Sequence, residues 1–562
     1  MSAHRRTVAP THSVRFRQGQ RVDFVVVGSG AAGGIVAKEL ATRGFTVLVL
    51  EQGPRVASPD FHHDDFAKFM LSEHLNASDT QPQRFRQGPG SPFTRQMFSY
   101  YHRLVGGGSV MFTANYWRFR EIDFVERTRL GAIAGTDFDD WPITYADLEP
   151  YYTKAEWELG VSGQRGPFDP PRSRRYPLPP LPVKSAGVLF ERGARALGLH
   201  PQPAPMCILS RPYRGRNSCQ HCGFCLGFGC EHGAKSSTLV SVIPMAEATG
   251  RCEIRAECYV SRVETDTRGR AAGVTYFDAR KREHFQPARA VVLCANGAET
   301  PRLLLMSATT RFPDGLANSS GMVGKRMMIN GYCEARGVFD QPLNEWKSVA
   351  VTRILWDFYD SDPARGFYGG GGMDGRSGMG GVGGYPVMFA LDGLAPDAPR
   401  WGAGYKRALR ETFSCSMSVA GHGTSLPVES NAVDLDPDLR DAWGLPCMRA
   451  TYRDHDDDVA MMRFLTRKGK EILDAAGARR AWEVPVTPQT VAVHLLGTCR
   501  MGNDPRRSVV DRYHRTHDLR NLFLCDGSSF VTSGRGQPTC TIQALAYRAG
   551  EHIARFARRN EI

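Results

Sequence analysis

A glycine fingerprint framed by two apolar runs constrains the fold of this chain more than any other feature. Val22-Asp23-Phe24-Val25-Val26-Val27 leads into Gly28, Gly30 and Gly33, then a helix-forming stretch, Ala37-Lys38-Glu39-Leu40. A second apolar run, Thr46-Val47-Leu48-Val49-Leu50, ends in Glu51. The order is strand, tight turn, helix, strand, acid. Gly28 shapes the turn, Gly30 admits a pyrophosphate against the backbone, and Gly33 lets helix and strand pack closely. The helix start then offers unpaired N–H groups and a positive dipole end to the phosphates. Glu51 follows at about 20 residues, where an acid hydrogen-bonds a ribose hydroxyl. Together these residues predict a dinucleotide site, without separating FAD from NAD.

The chain has 562 residues, enough for a large core and about three or four domains. No run of about 18 uncharged apolar residues exists to span a bilayer. Residues 1–20 carry Arg5-Arg6 with no apolar stretch behind them, so they read as a disordered basic leader rather than an export signal. The expectation is a cytoplasmic protein, or one carried to the periplasm by an exported partner. The formal charge of +13 raises nucleic acid, anionic lipid or an acidic protein as partners. No long run of like charge and no nucleic-acid motif follows it up, so nucleic acid is not expected and an acidic redox partner stays open.

Further along, Pro and Gly punctuate 58–95, a helix is expected over Asp147–Leu159, and 165–184 is a Pro/Arg-rich connection. Strand-like runs return at Cys252–Val263, Ala272–Phe277 and Ala290–Cys294, followed by a helical pattern over Pro301–Ser307. Residues 366–385 are glycine-rich, and composition favours a flexible surface loop over an active-site lid. A last α/β segment spans His494–Ala557.

Several ordered blocks resemble the glucose-methanol-choline (GMC) oxidoreductases, which carry FAD. They are Val26–Gly33 with Glu51; Gly106–Asn115; Asp140–Tyr152; Asn296–Pro301 with Leu303–Ser307; His494-Leu495-Leu496-Gly497-Thr498; and Asn521–Ser528 running on to Ile542. The resemblance implies an α/β fold: a Rossmann-type FAD-binding domain plus an α+β substrate domain on an antiparallel sheet. Residues 21–160, 235–335 and 490–562 would build the FAD-binding domain. Residues 161–234 would form a connection with a cysteine cluster, and 336–489 the substrate domain.

Family chemistry is oxidation of an alcohol: a base takes the hydroxyl proton while the carbon gives hydride to flavin N5. The base falls on His494, and histidine titrates in the right range for that work. The family's second active-site residue, usually Asn or His, falls on Gln537. Gln offers the same amide one methylene further out. Gly108 and Asn115 lie in the block expected against the isoalloxazine, and Asp526 with Gly527 in the turn near the ribityl chain. Relatives that bind flavin covalently have a histidine after the Gly-Gly-Ser stretch. Here Ser109-Val110-Met111-Phe112-Thr113 has none, so noncovalent FAD is expected.

Of the fourteen cysteines, five fall between Cys207 and Cys230. Cys219-x-x-Cys222-x-x-Cys225 with Cys230 places four sulfurs where thiolates could hold a soft metal. The spacing approaches a ferredoxin run, but the fourth cysteine comes one residue late and no Pro follows it. Some GMC dehydrogenases that work with a small subunit and a cytochrome hold an iron–sulfur cluster in a cysteine-bearing insertion. An iron–sulfur cluster, disulfides or free thiols, and zinc all stay open for Cys219, Cys222, Cys225 and Cys230.

The reading is an FAD-dependent dehydrogenase of a polyol, sugar or glycoside, passing electrons to a cytochrome or quinone. Three alternatives stand beside it: an oxygen-using alcohol oxidase, a flavin lyase or decarboxylase on the same fold, and a flavoprotein reduced only by a partner.

Overall fold

The computed structural model describes residues 15–377 and 385–562. Its centre is the predicted strand Val22–Val27 (β1), which pairs in parallel with Val47–Leu50 (β2) on one side and Glu283–Leu293 (β3) on the other. A strand flanked on both sides and covered on both faces reads as an unbroken apolar run, as β1 and β2 do. Cys252–Arg255 extends the sheet beyond β2, and Leu522–Leu524 joins β3 in parallel. Ala271–Phe277 and Tyr259–Thr265 complete the seven strands as an antiparallel flap on β3. Helix Gly33–Ala41 (α1) is buried along its whole length, between Val242–Glu247 and the C-terminal helix Thr539–Arg558. Chain segments far apart in sequence therefore meet in one nucleotide-type layer, and the mixed α/β architecture is as expected.

A second, six-stranded sheet is antiparallel throughout. Its centre is Gly331–Val338 (β4), Ser416–Gly423 and Gly371–Ser377 (β5), with Ser416–Gly423 (β6) lying between the other two. Side chains alternate across a strand, so register sorts them by face. Tyr332 stands opposite His422, Gly372 opposite His422, and Asp374 opposite Ala420. Hence Tyr332, Glu334, Arg336, Asp374, Arg376 and His422 share one face. The other face carries Cys333, Ala335, Met373, Met417 and Val419, which form an apolar core with residues of helices Ser185–Ala196 and Asp456–Ala475. One face is a conventional core and the other is polar yet buried. A third sheet joins Ala432–Arg440 and Pro446–Thr451 to Gln83–Arg86 and Thr94–Arg95.

Three expectations change. The glycine-rich segment is not a surface loop over 371–377: it is strand β5, inside the sheet. Its glycines make room for neighbours, since a Cβ on Gly372 would lie 2.6 Å from Trp117 and one on Gly375 2.5 Å from Phe190. Residues 378–384 of that segment lie outside the described residues. The basic leader is packed at its end, where the Phe16 N–H donates to Glu253 at 2.7 Å and the ring is buried. Residues 1–14 lie outside the described residues. Finally, the second sheet begins at Gly331 and takes in Gln202–Pro203, while Ser185–Ala196 packs on it, so it overruns the 336–489 bounds. Among the described residues, no helix is long and apolar enough to cross a membrane.

Overpacking a well-filled core costs about 1–3 kcal/mol. Gly375→Val is therefore expected to lower the thermal unfolding midpoint by about 1–3 °C in a calorimetric scan. An unchanged midpoint would mean that the Phe190 side gives way freely.

Candidate active site

A single cavity of about 1020 Å³ runs from the glycine turn to the polar face of the second sheet. That is as large as the upper range of small-molecule sites, about 1,000 Å³. Its nucleotide end is built by backbones in close contact. Gly28 has φ +91°, and a Cβ there would meet the Cys294 carbonyl oxygen at 2.6 Å. A Cβ on Gly33 would lie 1.9 Å from the Gly28 oxygen, so Gly33 shapes the turn and does not line the cavity. Gly30 and Gly108 do line it, and Gly107 (φ +52°) leaves no room for a side chain against Gly30.

Glu51 also lines the cavity, and its carboxylate ties the turn together. Oε2 accepts from the Ser29 N–H at 3.0 Å and hydroxyl at 2.7 Å, and Oε1 accepts from the Gly53 N–H at 3.1 Å. Ser29 Oγ in turn accepts from the Gly106 N–H at 3.0 Å, joining the fingerprint to the second glycine block. Burial pushes the Glu51 carboxyl above its usual range, against the Ser29 and Gly53 hydrogen bonds. Oε1 retains accepting capacity for a ribose hydroxyl. Asp526 lines the same space with Gly527. Its carboxylate accepts from Ser528 N–H (2.8 Å), Thr300 Oγ1 (2.6 Å) and Asn296 N–H (3.1 Å). Glycine cradle, buried acid and size together fit FAD.

The far end is lined by His494 and Gln537, and by His422, which sequence reasoning missed. His494 stands half-buried on the cavity wall. Burial pushes its imidazolium down to about 4, and His422 adds to the shift. The Gln537 amide nitrogen lies 3.2 Å from His422 Nδ1. His422 Nε2 lies 2.9 Å from Asp374 Oδ2, and the Arg376 fork grips both oxygens of the same carboxylate. Burial alone would raise Asp374, but Arg376 and His422 hold it at about 2. Tyr332 donates to Glu334 at 2.9 Å, and Arg336 pairs with Glu334. The period-two alternation of Tyr332, Glu334 and Arg336 against Cys333 and Ala335 was the available signal for this wall.

Two groups of expected residues lie elsewhere. Asn115 is not on the cavity; it is buried behind it, donating to Asp374 at 3.2 Å. Cys219, Cys222, Cys225 and Cys230 are free thiols, and among the described residues no group of three or more His, Cys, Asp or Glu is placed to hold a metal. Burial pushes the Cys219 thiol up to about 11 and the Cys225 thiol up to about 12. The loop is held instead by the buried Lys235 ammonium, which donates to the Cys225, Phe228 and Phe112 carbonyls, and by Gly227 N–H to Met111 oxygen at 2.7 Å.

Two family models described as GMC oxidoreductase match residues 186–331 and 427–546, and an NAD(P)-binding Rossmann-like domain matches residues 26–86. The chain is 36% identical to 2-methyl-1,2-propanediol dehydrogenase of Mycolicibacterium austroafricanum over 95% of both chains. The chain belongs to the GMC oxidoreductase family. It is also 30% identical to the fructose dehydrogenase large subunit of Gluconobacter japonicus, over 94% of this chain and 97% of that one. Formate oxidase of Aspergillus oryzae shares the fold at 16% identity and a TM-score of 0.63, with 97% of this chain and 100% of that one covered.

A hydrogen bond to a charged group contributes about 1.5–3 kcal/mol. Glu51→Ala should therefore weaken FAD binding by about 10- to 100-fold, measured by flavin fluorescence on titrating the apoprotein. Unchanged affinity would place the ribose away from Glu51.

Proposed function

We propose that this protein oxidises an alcohol group of a polyol, diol, sugar or glycoside, using noncovalently bound FAD and an electron acceptor other than oxygen. The observation that carries the reading is the single cavity that joins the nucleotide turn to His494, His422 and Gln537. Bound FAD supplies the acceptor for the hydride that leaves the carbinol carbon. The protein's part is to hold the hydroxyl and take its proton. An imidazole nitrogen of His494 is free of a proton at neutral pH, the state a base needs. Gln537 and the polar sheet face give the substrate's remaining oxygens hydrogen-bond partners.

Relatives support the substrate class: their names include a diol dehydrogenase, a gluconate 2-dehydrogenase flavoprotein and a fructose dehydrogenase large subunit. These names favour a dehydrogenase, although another relative is named paromamine 6'-oxidase. A subunit name among them also supports a protein partner as electron acceptor or carrier, with a cytochrome or quinone beyond it. Whether such a partner takes the protein to the periplasm is decided by fractionating cells with and without it. Noncovalent attachment is supported by the absence of histidine from Ser109–Thr113. Acid precipitation should leave the flavin in the supernatant; flavin in the pellet would refute it.

His494→Ala is expected to keep its FAD and lose about 10²- to 10⁴-fold in turnover with an artificial dye acceptor. Full turnover would remove His494 from the mechanism. In the wild type the base is lost only as pH falls through His494's own titration. Substrate-driven flavin reduction should therefore stay level from neutral pH downward and fall as pH approaches about 4. An acid limb centred near the ordinary histidine value would contradict this assignment.

A further inference from the structure

We propose that Asp374, His422 and Gln537 form a positioning relay that turns the Gln537 amide so that its carbonyl oxygen faces the substrate. The inference rests on the alcohol-oxidising reading and assigns His422 a part in it.

Asp374 accepts two hydrogen bonds from the Arg376 fork and one from the Asn115 amide. A carboxylate holding that many donors has no proton of its own to give. His422 Nε2 lies 2.9 Å from Asp374 Oδ2, and the neighbouring Arg376 Nη2 already donates to that nearer oxygen, so Nε2 is assigned as the donor to the carboxylate rather than as a bare nitrogen facing an anionic oxygen. Arg376 Nη2 stands 2.8 Å from the same nitrogen, so a second positive charge on the imidazole would face a guanidinium. The ring is also packed edgewise on Trp117 and against Tyr332, which screens it from water. The imidazole is therefore neutral, with its one proton on Nε2 and a bare Nδ1.

A bare Nδ1 accepts only from a donor. Gln537 meets it at 3.2 Å with its amide nitrogen, which fixes the orientation of the amide. The oxygen, Oε1, has no hydrogen-bond partner among the described residues and belongs to a side chain on the cavity wall. The extra methylene by which Gln537 departs from Asn extends the amide toward β6. The second polar position of the site is thus an acceptor. It suits a substrate carrying an O–H or N–H donor beside the carbinol, while His494 takes the reacting proton.

The test uses the FAD-loaded enzyme labelled with ¹⁵N-histidine. His422, assigned by its loss in His422→Asn, should show a protonated Nε2 and an unprotonated Nδ1 at neutral pH. An Nδ1–H tautomer or an imidazolium would overturn the relay, whatever the enzyme's activity. Stopped-flow flavin reduction then separates positioning from packing, using the polyol that bleaches the wild type. His422→Phe should reduce the limiting rate about 10- to 100-fold, as small misplacements do. His422→Asn, which keeps an acceptor near the Nδ1 position, should recover to within about tenfold of wild type. Equal rates for wild type and His422→Phe would overturn the relay, and so would equal loss in both variants with FAD content intact. If His422→Phe does not fold, the tautomer and His422→Asn decide. If no alcohol bleaches the wild type, the proposed function fails, and the tautomer still decides the relay.

Discussion

Backbone contact closer than any side chain permits anchors the whole arrangement. At Gly28 the turn leaves β1 in a left-handed conformation against the Cys294 carbonyl, and Gly33 then packs on the oxygen of Gly28. That contact brings the end of β3 and the start of α1 within van der Waals distance of one turn. Because β3 also carries Leu522–Leu524, the same contact sets where Asp526 and the C-terminal helix begin. The floor of the cavity and the segment bearing Gln537 are thus positioned by a few glycines.

The opposite wall obeys a different constraint. A sheet face bearing Glu334, Arg336, Asp374, Arg376 and His422 is buried, so each charge needs an opposite one. Breaking a buried ion pair by removing one partner costs about 3–5 kcal/mol, because the other charge is left uncompensated. Asp374 meets this by engaging Arg376, Asn115 and His422 at once. Such a network leaves little freedom for side-chain rotation. A wall built this way offers fixed donors and acceptors rather than a solvent-like surface, and preorganisation of that kind is what catalysis by a base needs.

The two ends of the cavity were unequally legible in the sequence. β1, the turn, α1 and β2 are contiguous, and each residue's role follows from local sterics, so strand, turn and acid could be placed directly. His494 and Gln537 were singled out through block resemblance, and both line the cavity. The second sheet was not legible. Gly371–Ser377 looks like a loop because glycine weakens strands, and only the rings of Trp117, Trp356 and Phe190, distant in sequence, show why glycine is required there. His422 stood alone in an unremarkable stretch, and its partners lie on neighbouring strands. Asn115 sat in the right block but turned to Asp374 rather than to the cavity. The cysteines have suggestive spacing, yet spacing cannot show that Lys235 reaches into the same loop.

In the proposed reaction one cavity holds the alcohol between FAD and His494. An anaerobic visible spectrum of the purified holoenzyme, before and after adding a panel of diols, polyols and sugars, tests it most directly. At least one of them is expected to bleach the flavin band without any partner present. A flavin that stays oxidised with the whole panel, yet is reduced by dithionite, would contradict it.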